Sequence, residues 1–127
     1  MSRNDWSIVL PWPPTQNNLY AVANGRLLKS RVGRDYASLL STLIYQREPQ
    51  EPFCGTYGCR IVCFPPDRNR RDLDNVPKAV LDSLTACHVW SDDSMKHLRE
   101  LNLTFGGFRQ PGEIVVEVWN VAEALPW

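Results

Sequence analysis

The stretch GCRIVCFPPDRNRRDLDNVPKAVLDSLTAC, residues 58–87, decides how this chain folds. Gly58 to Phe64 carries enough β-branched and aromatic side chains to read as a buried strand. Pro65-Pro66 stops that strand, because proline lacks an N–H for the ladder and fixes φ. Beyond an arginine-rich segment, Val76, Val80, Leu81, Leu84 and Cys87 recur at helical spacing. The pattern predicts a helix starting at Leu73 to Asp74 with an Asp as its cap. Pro77 then falls in the first turn, where its missing N–H has no partner to lose.

The flanks extend this strand–loop–helix unit. Ser7-Ile8-Val9-Leu10 reads as a strand, ended by Pro11-Trp12-Pro13-Pro14. Leu19 to Ser30 contains Asn24-Gly25, the preferred centre of a type I′ hairpin. Arg34 to Arg47 places Tyr36, Leu39, Leu40, Leu43 and Ile44 at amphipathic-helix spacing, with Pro49 and Pro52 beyond. Met95 to Phe105 and Glu113 to Trp119 read as two strands joined across Gly106-Gly107. The second alternates, with Ile114, Val116 and Val118 on one face and Val115, Glu117 and Trp119 on the other. No regular βαβ repeat appears. The expected fold is therefore α+β: one small domain over residues 1–127, a mixed β-sheet with two main helices packed on it.

Length and composition narrow the function. The 127 residues give room for one domain, and 43% apolar with 22% charged residues is ordinary for a globular protein. No apolar run approaches the roughly 18 residues of a membrane helix, and Met1 to Trp6 lacks the apolar core of a signal peptide. The expectation is a cytoplasmic protein without membrane contact. Cys54, Cys59, Cys63 and Cys87 show neither zinc-site nor redox-pair spacing, so they read as reduced, mostly buried thiols. His88 beside Cys87 is the one arrangement there that suggests a metal.

Net charge is zero, but the charges are segregated. Arg26, Lys29, Arg31 and Arg34 form a run without an acid, and Arg60, Arg68, Arg70 and Arg71 face Asp67 alone. From Asp72 to Asp93 the sign reverses: Asp72, Asp74, Asp82, Asp92 and Asp93 stand against Lys78. Arginines hold phosphate oxygens, and carboxylates hold Mg²⁺, which bridges to a phosphate under attack. A basic run beside an acidic run thus suits a metal-dependent phosphodiesterase. Simpler roles exist for each piece: Asp74, Lys78 and Asp82 as a helix-surface ion-pair ladder, Asp72 as a cap, Asp92-Asp93 as a turn. A restriction-type nuclease is disfavoured, because Pro66-Asp67 is followed by no acid-x-Lys element.

Arg71-Asp72-Leu73-Asp74-Asn75, Lys78, and Trp90-Ser91-Asp92-Asp93 together resemble the RusA family of Holliday junction resolvases. Pro11-Trp12-Pro13-Pro14-Thr15 followed by Asn17-Asn18 is similar to the family's N-terminal signature, so the resemblance spans residues 7 to 119. It implies a homodimeric, Mg²⁺-dependent endonuclease that nicks four-way DNA junctions symmetrically, leaving 5′-phosphate and 3′-hydroxyl ends, with no small-molecule cofactor. Carried over by motif, Asp72, Asp74 and Asp93 are the catalytic carboxylates and metal ligands, and Lys78 is the catalytic lysine. Arg71, with Arg68 and Arg70 before it, is placed on DNA, and Asp92 is the less favoured acid. The chain departs from the family pattern at Thr15, where Ser is usual, at Asn69, which interrupts the basic run, and at His88, where a helix-ending Gly is expected. Histidine tolerates positive φ, so that turn survives. Asp93 lies beyond the helix and must be brought back by the fold. Two nicks on a two-fold-symmetric junction call for a two-fold dimer, for which Trp12, Trp119 and Trp127 are candidate contacts. The alternative of a different class is a catalytically silent DNA-binding or phage regulatory module using the Arg-rich loop.

Overall fold

The computed structural model describes residues 5–14, 20–73 and 76–121. Its elements are β1 (Trp6–Pro11), β2 (Tyr20–Ala23), β3 (Arg26–Lys29), α1 (Arg31–Gln46), β4 (Tyr57–Phe64), α2 (Pro77–Ala86), β5 (Leu98–Phe105) and β6 (Glu113–Asn120). Four strands make one sheet in the order β1-β6-β4-β5. β4 pairs parallel with β5 and antiparallel with β6, and β6 pairs antiparallel with β1, so the sheet is mixed. The α+β expectation holds. Strands β5 and β6, adjacent in sequence, do not pair with each other; β4 lies between them.

β4 is central because its residues can be buried almost without interruption, as the pattern of Tyr57 to Phe64 allows. Ile8, Val116 and Ile61 align across three strands in one buried row, and Ile114, Val116 and Val118 are all fully buried as the alternation predicts. Tyr36, Leu40 and Ile44, four residues apart on α1, and Val80 and Leu84 on α2 belong to the same core. Truncating any of these to Ala costs about 2–5 kcal/mol. On the opposite face Trp119 closes over Gly58: a Cβ there would meet the indole at 2.6 Å, so only glycine fits. Trp119 is thus packed into its own chain and is not a free dimer contact; Trp127 lies outside the described residues.

Local signals set the turns. β2 and β3 form the expected hairpin, with Asn24 and Gly25 both at positive φ. α1 starts three residues before the expected Arg34, because the Ser30 hydroxyl accepts the Gly33 N–H at 3.0 Å and caps it. His88 takes φ 59°, and the bonds His88 N–H to Thr85 O and Val89 N–H to Leu84 O complete a Schellman end to α2. β5 begins at Leu98 rather than Met95, since the Ser94 carbonyl accepts both the His97 and Leu98 N–H groups and turns that segment. The hydroxyl of Tyr36 donates to the Pro11 carbonyl at 2.7 Å, fixing where β1 hands over to Trp12. All four cysteines are free; Cys59, Cys63 and Cys87 are buried and Cys54 is exposed.

Candidate active site

The chain leaves β4 at Pro65-Pro66 and enters a loop organised by its own side chains. Asp67 accepts the Asn69 N–H at 2.9 Å and pairs with the Arg71 guanidinium at 2.8 Å. The same Arg71 Nη1 donates to the carbonyls of Asp67 and Asn69 at 3.2 and 3.1 Å. The Arg71 hydrogen bond, then that of the Asn69 amide, holds the Asp67 carboxyl below the usual carboxylate range. With its side chain only 19% exposed, and its guanidinium 5.7 Å from the Trp12 ring, Arg71 is part of the loop's architecture. Among the described residues its bonds all run through Nη1, which leaves Nε and Nη2 as donors for a phosphate. Arg70 is exposed, and Arg68 lies 4.5 Å over the ring of Phe108.

Segment 106–110 packs beside this loop. Gly106 N–H bonds to Cys63 O, Arg109 N–H to Pro65 O, and the Gln110 amide to Pro66 O at 2.6 Å. The Arg109 guanidinium covers Phe64 at 3.9 Å and pairs with Glu113. At the C-terminal ends of β4 and β5 opens a cleft of about 190 Å³, lined by Trp12, Cys63, Arg71, Asp72, Val76 and Phe105 among others. Asp72 is exposed on it, and among the described residues no hydrogen bond or ion pair engages its carboxylate.

α2 begins at Pro77, later than expected, and its cap residue Val76 makes no side-chain cap bond. The cap position is held by Val76, and Asp72 is therefore not the helix cap. Asp74 lies outside the described residues. Lys78, on the first turn of α2, is exposed, with Nζ 3.5 Å from the Asp82 carboxylate, so this pair of the expected ladder forms.

Asp93 is elsewhere. Tyr57 opens β4, stacks on Trp90 at 5.1 Å and donates its hydroxyl to the Asp92 carbonyl at 2.5 Å. The Trp90 N–H is held in turn by Thr85 near the end of α2. Asp92 accepts the Ser94 hydroxyl at 2.8 Å and the Ser94 amide at 3.0 Å; the hydroxyl first, then the amide, keeps its carboxyl below the usual range. Asp92 is therefore a turn-forming acid. Asp93 beside it is exposed, again without a hydrogen bond or ion pair among the described residues. This turn sits at the N-terminal ends of β4 and β5, whereas Asp72 sits at their C-terminal ends beside Cys63 and Phe105. An eight-residue strand spans about 23 Å at roughly 3.3 Å per residue. The β4–α2–β5 crossover thus puts the turn carrying Asp93 at the opposite end of β4 from Asp72 within one chain.

Among the described residues no three His, Cys, Asp or Glu are grouped to hold a metal, Cys87-His88 included. The donor chemistry nevertheless suits a hard cation: Asp72 and Asp93 are exposed carboxylates that no side chain among the described residues claims, unlike Asp67 and Asp92. Sequence reasoning missed Phe105, Phe108 and Arg109 as neighbours of this cleft; the run Phe105-Gly106-Gly107-Phe108-Arg109, two aromatics around a flexible pair, was the available signal.

Comparison with known proteins agrees with the motif reading. The profile of the family described as Endodeoxyribonuclease RusA matches residues 11–118. Crossover junction endodeoxyribonuclease RusA of Escherichia coli (strain K12) is 40% identical over 91 residues, covering 72% of this chain and 76% of that protein. The protein of that name from Shigella sonnei has the same identity and coverage, and that of Enterobacteria phage 82 is 38% identical over 91 residues, again 72% and 76% of the two chains.

Proposed function

The chain belongs to the RusA family of endodeoxyribonucleases, and on that premise we propose that it resolves four-way DNA junctions by paired, symmetric, Mg²⁺-dependent nicks. The products would carry 5′-phosphate and 3′-hydroxyl ends, and the protein would act as a cytoplasmic homodimer of a single domain spanning residues 1–127. The carrying observation is the cleft at the C-terminal ends of β4 and β5. There an unclaimed Asp72 adjoins a pre-ordered Arg71, with Arg68 and Arg70 on the same loop and Lys78 on the first turn of α2.

Asp72, Asp74 and Asp93 would hold the metal. Bound there, Mg²⁺ supplies a Lewis acid for the scissile phosphate and an acidified water. Because Asp93 stands at the far end of the β4–β5 pair, a three-acid site is best completed between two chains, with Asp93 of the partner subunit meeting Asp72 and Asp74. Such a site ties activity to dimerisation and suits a two-fold-symmetric substrate. Lys78, itself exposed and 3.5 Å from Asp82, would leave that partner to neutralise charge building on the phosphate. Arg71 would present its unused N–H groups to a phosphate from a fixed position, and the more exposed Arg68 and Arg70 would hold flanking phosphates.

The test is a nicking assay on a synthetic four-way junction and a linear duplex of the same arms, with Mg²⁺ and with EDTA. Paired nicks at symmetric positions, on the junction alone and in Mg²⁺ alone, are expected. Junction binding without cleavage under every metal condition would instead make the chain a silent DNA-binding module.

A further inference from the structure

We propose that the cleft beside Asp72 is a slot for a single unstacked nucleobase, and that Phe105 is the residue by which the protein tells a branch point from continuous duplex. The inference rests on the junction-cleaving reading above and adds to it a ligand subsite.

Phe105 ends β5 on an edge strand and is 55% exposed. It meets Phe108, itself 43% exposed, edge-on at 5.2 Å between ring centres, and Arg68 lies over the ring of Phe108. The contact with Phe108 holds Phe105 from one side, while Phe105 lines the cleft together with Trp12. Cys63 adds a neutral thiol to the wall, its pKa pushed up to about 11 by burial, and Val76 adds an aliphatic surface. The interior is therefore apolar and aromatic, with the polar groups Arg71 and Asp72 beside it. Its volume of about 190 Å³ suits one ring system: an apolar cavity of about 150 Å³ takes up benzene. A hydrated cation alone would gain nothing from such walls.

The charges around the cleft select the occupant. Arg68, Arg70 and Arg71 lie on one loop bordering it, which favours a ring attached to phosphates over a second apolar protein surface. Aromatic rings stack on any base, so such a slot reads the absence of stacking rather than sequence. A base inside duplex must be unstacked before it can enter, whereas a base at a branch point has already lost part of its stack. A base seated between Trp12 and Phe105 would bring its own phosphate to Asp72 and Arg71. Selectivity for structure and alignment for cleavage would then come from one contact.

A binding cycle tests this. Affinities are measured in EDTA for wild type, Phe105→Ala and Phe105→Tyr, on intact junctions, on junctions carrying an abasic site at each branch-flanking nucleotide in turn, and on linear duplex. One abasic position should weaken wild-type binding roughly tenfold, as the loss of a base–aromatic stack does. Phe105→Ala should weaken binding to the intact junction by a similar factor, lose nothing further at that abasic position, and bind duplex like wild type; Phe105→Tyr should restore the junction preference. Additive losses, an equal loss on duplex, or a fall in sedimentation coefficient showing that Phe105→Ala has split a dimer would overturn the slot, the last by making Phe105 a subunit contact. A wild-type protein that nicks junctions yet gives additive losses sinks the slot alone; one that neither prefers nor nicks junctions sinks the functional reading with it.

Discussion

Replacing Arg71 with Ala separates two jobs that the structure assigns to one side chain. The guanidinium donates through Nη1 to the carbonyls of Asp67 and Asn69, and both bonds vanish in the variant. At roughly 0.5–1.5 kcal/mol net for each intramolecular hydrogen bond, and with one of the two exposed, the loss is about 1–2 kcal/mol. The pair with the Asp67 carboxylate is left out, since solvent screens it. With an unfolding entropy of about 2.1 cal/mol/K per residue, a chain of 127 residues should melt about 4–7 °C lower. The second job appears on DNA. If the free side of the guanidinium meets one phosphate, the slope of log affinity against log salt should flatten by about 0.9. Arg71→Lys keeps the charge and so keeps the slope, yet should melt lower as well, because an ammonium cannot serve the loop carbonyls and a phosphate in the same fixed fork. Calorimetry and a salt series on the two variants read the two jobs independently. An unchanged melting temperature in Arg71→Ala would refute the loop-anchoring role, and an unchanged salt slope would refute the phosphate contact.

Asp74→Asn should abolish junction nicking while binding is kept or tightened, since an amide is a poor Mg²⁺ ligand and one negative charge facing DNA is removed; gels in Mg²⁺ and in EDTA read this, and retained nicking would end the three-acid proposal. Mixing inactive Asp72→Asn with inactive Asp93→Asn protein should restore single-strand nicking, because a site shared between chains leaves one intact site in each mixed dimer; no recovery after confirmed subunit exchange would place each site within one chain. At pH 8 a thiol reagent should label Cys54 in the folded protein and spare Cys59 and Cys63, whose burial pushes their thiols up to about 12 and about 11; mass spectrometry showing labelling of these two in the folded state would contradict the packing of β4. His88→Gly should raise the melting temperature by about 2–4 °C, because His88 sits at φ 59° where glycine carries no Cβ penalty, whereas His88→Val should lower it.

What was legible in the sequence was chiefly local. Asn24-Gly25 dictated a turn that needs positive φ at both residues, the alternation of Ile114, Val116 and Val118 marked a buried face, and the turn at His88 survived a substitution histidine can bear. The Ser30 cap was written in the sequence as well, since Ser before a helical pattern is a start signal, but the apolar periodicity first shows at Tyr36 and drew the boundary too late. The strand order was not local. Glu113 to Asn120 lies between β1 and β4, which pair with its backbone along both edges, a preference that no window around Gly106-Gly107 contains. The same limit applies to the acids: motif spacing brought Asp72, Asp74 and Asp93 into one set, but it says nothing of the crossover that sends Asp93 to the far end of β4. Arg71 was legible as a cation, whereas its anchoring depends on a loop that curls Asp67 and Asn69 back onto it.

The placement of β6 also bears on how the molecule is made. Trp6 pairs with Val118 and Pro11 with Glu113, so the first strand to leave the ribosome waits for almost the last before it gains a neighbour. Until then β1 has no ladder and β4 lacks its antiparallel partner, leaving β4 with β5 as the pair of the four-stranded sheet that can close early. Since such long-range pairing must pay loop-closure entropy before any contact rewards it, assembly of the sheet is slow and late. A chain cut short anywhere before Asn120 loses strand pairs at the centre of its sheet rather than at its margin. A partly made copy therefore has no finished sheet on which to carry its arginine loop and acids.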